Sequence, residues 1–133
     1  MNFYTYNSFE KKSGALTFAE AEEIYSELTG LVEIAGQETQ ELWDEFVKVA
    51  VTYAGTRGTW LLLSSQEKAA IDDRRTNEHD AVIYQLTLLK RIFDKQGLPA
   101  EWFDQLRLDS VRARKRFGDF ACYVAYIYGV NAR

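Results

Sequence analysis

Residues 120–130 read FACYVAYIYGV, and this uncharged stretch decides the fold. Read as a helix at about 100° per residue, residues 117–130 have two apolar faces. One face is bulky and consists of Phe117, Phe120, Val124, Ile127 and Tyr128. The other is made of small residues that let a second helix approach closely, namely Gly118, Ala121, Cys122, Ala125 and Gly129. The pattern predicts a buried C-terminal helix enclosed by its neighbours.

The third face of this helix is a polar stripe. Its members are Arg112, Arg116, Asp119 and Tyr123. Asp119 adjoins the uncharged stretch, so if it is buried it needs a charged, hydrogen-bonded partner. Candidate partners are Arg116 on the same helix and, if the long helix packs alongside, Arg74, Arg75 or His79. Two interpretations stay open: a structural ion-pair network, or a site where arginines and the Tyr123 hydroxyl bind a phosphate-bearing ligand.

Length and composition favour one domain, which we place over residues 1–133. The chain is 47% hydrophobic and 27% charged, as in ordinary folded proteins. A net charge of -4 argues against nonspecific nucleic-acid binding by the whole surface. A lone cysteine fits a reducing compartment, and neither a membrane span nor a signal peptide is evident. We therefore expect a cytoplasmic protein of bacterial or phage type.

Residues 1–13 form an aromatic-rich N-terminal arm. Its large apolar side chains are Phe3, Tyr4, Tyr6 and Phe9. So much apolar area is unfavourable in water, and a terminus stays ordered only when something holds it. We expect the arm to dock on its own domain or on a second subunit, which makes these four residues candidate interface residues.

Helix signals divide the rest of the chain. Thr17 and Glu20 form a capping box, which predicts a first helix from Phe18 to the glycine at position 36. A second helix is predicted over residues 38–54, with Gly55 and Gly58 bracketing the turn after it. No segment alternates with period two, so we predict an all-α bundle of four to six helices.

The second half contains a further capping box, Ser64 with Glu67. It predicts a short helix over residues 65–73, followed by the longest helix over residues 77–96, although residues 73–75 could join the two into one. Pro99 then allows a short helix over residues 100–106. Asp109 or Ser110 caps the last helix.

Few residue patterns here indicate catalysis. His79 is the only histidine, which excludes histidine-rich zinc sites and two-histidine di-iron sites. Glu20 and Glu23 have the spacing of a magnesium pair, but a solvated acidic helix face explains them better. Cys122 lies on the small-residue face, where packing explains it better than nucleophilic catalysis. We expect no catalytic residue, no metal and no cofactor.

Three functions follow in order of preference. The first is binding to another protein or to itself. The second is an enzyme or binding protein for a phosphorylated small molecule or nucleotide, using Arg75, His79 and the polar stripe. The third is nucleic-acid binding through the basic run 112–116. Glu78 and Gln85 interrupt the apolar face of the long helix, where each needs an internal partner or its equivalent across a dimer interface.

Overall fold

A computed structural model describes residues 15–60, 62–107 and 113–131, without the side chains of residues 130 and 131. The predicted N-terminal arm and Arg112 lie outside these residues. Within them the chain is helical and has no strand, which confirms the predicted all-α class. The helices are α1 (Phe18–Ala35), α2 (Gln37–Trp60), α3 (Ser65–Gln96), α4 (Glu101–Leu106) and α5 (Ala113–Asn131).

The first and the longest helix have the predicted caps, whereas the caps predicted for the last helix, Asp109 or Ser110, lie outside the described residues. At the start of α1, Thr17 Oγ1 accepts the Glu20 N–H at 3.1 Å, and Glu20 Oε1 accepts the Thr17 N–H at 3.1 Å. Ser64 and Glu67 make the same reciprocal pair at the start of α3. Gly97 ends α3 with φ of 70°, a left-handed conformation that favours glycine. Local sequence therefore determines where these helices begin and end.

Two predicted breaks are absent. The turn expected at Gly55 and Gly58 is wrong, since α2 continues through both glycines to Trp60. The alternative of one long helix is correct for α3, which runs from Ser65 to Gln96 without interruption. Contacts between the two helices, such as the 3.0 Å bond from Trp60 Nε1 to Asp72 Oδ1, hold these segments helical.

Helices α2 and α3 form an antiparallel hairpin, and α5 packs against both. Contacts near the two ends of α2 define its direction relative to α5. Near the start of α2, Trp43 Nε1 donates to Tyr128 Oη at 2.9 Å, and near its end Arg57 forms an ion pair with Asp119. α1 and α4 cover the remaining side of α5. This arrangement places the polar residues of α5 next to all four of the other helices.

The core is dominated by aromatic side chains. Phe46 of α2 stacks on Phe120 of α5 with ring centroids 6.0 Å apart, and Trp102 of α4 meets Phe93 of α3 edge to face at 5.4 Å. Each such side chain contributes about 1.5–3 kcal/mol through burial. On α5 burial extends through Ala125, whereas Tyr128 is partly exposed.

The end of the α2/α3 hairpin projects beyond this core. Across residues 55–60 and 62–81 no side chain is fully buried. Trp60 instead lies under two cations, with Lys68 Nζ at 4.5 Å and Arg75 Cζ at 4.4 Å from its ring centroid. None of the described helices combines the length and apolar character that crossing a membrane requires.

Candidate functional site

Arg116 lies inside the bundle and is 6% exposed. Its Nη1 donates to the Ala15 carbonyl at 2.6 Å, and its Nε donates to the Leu106 carbonyl at 3.3 Å. Its Nη2 donates to the Gln105 carbonyl at 2.8 Å and to Glu20 Oε2 at 3.3 Å. One side chain therefore ties the beginning of α1 and the end of α4 to α5.

These bonds leave Arg116 without a nitrogen directed at a ligand, because every guanidinium nitrogen already has an oxygen acceptor. Burial by itself would raise the pKa of Glu20, but hydrogen bonds from Thr17 and the charge of Arg116 hold that pKa below its ordinary value. The arrangement is a structural clamp, and Asp119 is not part of it.

Asp119 is fully buried, and its charged partner is Arg57 of α2, with Nη1 and Oδ1 3.6 Å apart. Arg57 also donates to Tyr53 Oη at 2.9 Å. Sequence reasoning missed this pair because it ended α2 before position 57. The signal that could have found it is helical periodicity, since Tyr53 and Arg57 are one turn apart on the face of α2 that meets α5.

His79 borders this pair. Its Nε2 donates to the Arg114 carbonyl at 2.7 Å, and its ring stacks on Tyr53 with centroids 5.2 Å apart. Partial burial lowers the pKa of His79, and the charges of Arg114 and Arg57 act in the same direction. Gly118 makes the close approach possible, since a Cβ there would lie 2.9 Å from Tyr53 Oη and 3.0 Å from His79 Nε2.

The other predicted site residues lie elsewhere. Tyr123 is 2% exposed and meets the rings of Phe18 and Tyr25 edge to face at 5.4 and 5.8 Å. Burial raises the pKa of Tyr123 to about 12. Arg75 lies at the hairpin end against Trp60. Of the described members of the predicted ligand site, His79 and Asp119 therefore lie near each other, whereas Arg116, Tyr123 and Arg75 each have separate surroundings.

A different surface contains a buried carboxylate oxygen, Glu78 Oε1, that no donor among the described residues reaches. On the side of the hairpin away from α5, a groove of about 690 Å³ runs along the surface between α2 and α3. We call it the outer groove. Its walls are mostly small or hydroxyl-bearing side chains with one charge of each sign. They are Val51, Thr52, Gly55, Thr56, Thr59, Arg74 and Glu78.

Glu78 lies in the outer groove with only one of its oxygens hydrogen-bonded. Its Oε2 accepts from Thr56 Oγ1 at 3.1 Å, whereas Oε1 is buried and has no donor. Arg74 Nε is 4.0 Å from Oε1, which is too long for a hydrogen bond. Gln85, two turns further along α3, also buries an Oε1 without a donor. Both residues are those that interrupt the apolar pattern of the long helix.

The described residues do not present a catalytic centre of a familiar kind. Within them no three or more histidine, cysteine, aspartate or glutamate side chains converge on a possible metal site. Burial raises the pKa of the Cys122 thiol to about 12, so at neutral pH it is not the thiolate that nucleophilic catalysis requires.

Comparisons with protein-family models, with curated proteins and with solved structures found no match for this chain. Functional reasoning therefore rests on the geometry of its own residues.

Proposed function

We propose that this protein works by self-association, with a second copy of the chain binding the outer groove of the α2/α3 hairpin. The observation that carries the proposal is the buried Oε1 of Glu78, which lacks a hydrogen-bond donor. Leaving such an oxygen unpaired costs about 1–3 kcal/mol, so a donor supplied by a partner is favourable.

The charges of the outer groove suit a copy of the same chain. Arg74 and Glu78 have opposite signs and lie one turn apart on α3, and the side chain of Arg74 is 62% exposed. In a two-fold symmetric dimer the same patch meets itself, so Arg74 of each chain faces Glu78 of the other. The side chain of Glu78 keeps 16% of its surface exposed, so a partner can contact it, and a small rotation of the carboxylate would bring the buried Oε1 to that partner.

The shape of the outer groove also suits a helix. Gly55, Thr56 and Thr59 present little bulk along α2, so the ridge of a partner helix could approach its backbone closely. Two large apolar side chains lie on the same hairpin, Leu62 at 77% exposure and Tyr84 at 59%.

The direct test compares charge-reversed variants by sedimentation velocity over a range of concentrations. We expect the wild-type chain to self-associate, and Glu78→Arg to weaken that association at least about tenfold, since like charges then face each other. Asp73→Arg is the matched control, because it reverses an exposed carboxylate on α3 that does not line the groove.

Two results would overturn the proposal. One is a wild-type chain that sediments as a monomer at every concentration. The other is an association that Asp73→Arg weakens as much as Glu78→Arg does.

A further inference from the structure

A second cleft lies on another side of the bundle, between α3, α4 and α5. Its volume is about 440 Å³. The apolar part of its wall comes from Ile83, Phe103 and Phe117, the basic part from Lys90, Arg91 and Arg107, and Asp94 adds one carboxylate. None of the three predicted functions placed a site here, because the residues of this cleft are distant in sequence.

Among the described residues, no acceptor contacts the guanidinium group of Arg91 or of Arg107. Neither side chain makes an ion pair or a hydrogen bond with any residue in the ranges 15–60, 62–107 and 113–129. Lys90, by contrast, is paired with Asp94 one turn along α3. In a chain whose net charge is -4, two unpaired guanidiniums at one cleft make it a local positive site.

The floor of the cleft is aromatic. The rings of Phe103 and Phe117 lie 5.5 Å apart at 51°, and both side chains are almost fully buried, so they form a fixed surface. Arg107 extends its guanidinium over the Phe103 ring, with Cζ 5.7 Å from the centroid. The hydroxyl of Thr87 donates to the Ile83 carbonyl at 2.8 Å, so its hydrogen is not available to a ligand.

We propose that this cleft binds a small organic phosphate that has a flat apolar or aromatic body. Its phosphate group would accept from Arg91 and Arg107, and its body would lie against the parts of Ile83, Phe103 and Phe117 that line the cleft. Guanidinium forks match phosphate oxygens in pairs. A phosphate monoester carries about -1.5 to -2 charges at pH 7 and balances two cations, which a single carboxylate does not. The proposal is independent of self-association through the outer groove.

Phenyl phosphate is the probe for this site, with inorganic phosphate and phenol as its two halves. By isothermal titration calorimetry we expect phenyl phosphate to bind at least about tenfold more tightly than either half. Arg91→Gln and Arg107→Gln should each weaken phenyl phosphate binding by about tenfold, since each removes one charge-assisted fork.

Arg74→Gln is the matched control, because it removes an exposed arginine of α3 that belongs to the outer groove. It should leave phenyl phosphate binding unchanged. All three arginines are exposed, so the variants are expected to fold, and their thermal unfolding verifies this. The proposal is overturned if phenyl phosphate does not bind the wild-type chain. It is also overturned if the double variant of Arg91 and Arg107 binds as well as the wild type.

Discussion

Two of the regions that bury polar side chains in this molecule have different surroundings. Around Arg116 every nitrogen meets an oxygen at 2.6–3.3 Å. In and beside the outer groove, Glu78 and Gln85 each bury an oxygen that no described residue satisfies. Burial of a polar group therefore does not by itself indicate a binding site. A missing partner is the more informative sign.

The largest expected effect is on the hydrogen bonds around Arg116. Arg116→Met should lower the free energy of unfolding by about 3–5 kcal/mol, since it leaves three backbone carbonyls without their donor, whereas the carboxylate of Glu20, 41% exposed, returns to water. Urea denaturation measures the loss. The matched control is Arg114→Met, whose surface ion pair with Asp80 is worth at most about 1 kcal/mol. Equal losses in the two variants would contradict the structural role of Arg116.

The second largest effect concerns Asp119, and it tests how much the ion pair with Arg57 contributes to stability. Asp119→Ala should cost about 3 kcal/mol in the free energy of unfolding, because it leaves Arg57, whose side chain is 12% exposed, without its carboxylate. Adding Arg57→Met should recover part of the loss, since the uncompensated charge is then gone. A loss below about 0.5 kcal/mol in the single variant would mean that the pair contributes little.

The dependence of stability on pH tests the contribution of His79. Its pKa in the folded chain lies below the ordinary 6.5, so the unfolded chain takes up the proton first as the pH falls. Stability should be complete above about pH 6.5 and decline below it, until the folded His79 protonates as well. His79→Gln should flatten this part of the stability profile. An unchanged profile in the variant would assign the decline to other groups.

The smallest expected effect is at Gln85, whose buried Oε1 has no donor among the described residues. Gln85→Met keeps the volume of the side chain but removes the unpaired oxygen, so the stability of the fold should change by less than about 1 kcal/mol or rise. Urea denaturation at low protein concentration measures this without a contribution from association. A loss near that of Arg116→Met would show that Gln85 has a partner within its own fold.

The sequence predicted most of the helices because their signals are local. Capping boxes and a left-handed glycine mark the ends of α1 and α3. The turn predicted at Gly55 and Gly58 is wrong because each glycine lowers the stability of a helix by only about 1 kcal/mol, and packing between α2 and α3 outweighs that loss. That error also concealed Arg57 as the partner of Asp119.

The candidate sites were predictable only in part. Glu78 and Gln85 could be recognised from sequence because they break an apolar pattern. The acceptors of Arg116 could not, since three are backbone carbonyls whose positions depend on how separate segments meet. The cleft with Arg91 and Arg107 was missed for the same reason, because it combines residues of three helices.

The most direct measurement of self-association through the outer groove is a charge-exchange experiment. Arg74→Glu and Glu78→Arg are each prepared alone and then mixed in equal amounts. Sedimentation velocity should show that each variant alone is mainly monomeric and that the mixture forms a heterodimer, because each Arg–Glu contact is restored across the interface. A mixture that stays monomeric, or single variants that associate as the wild type does, would contradict the proposed interface.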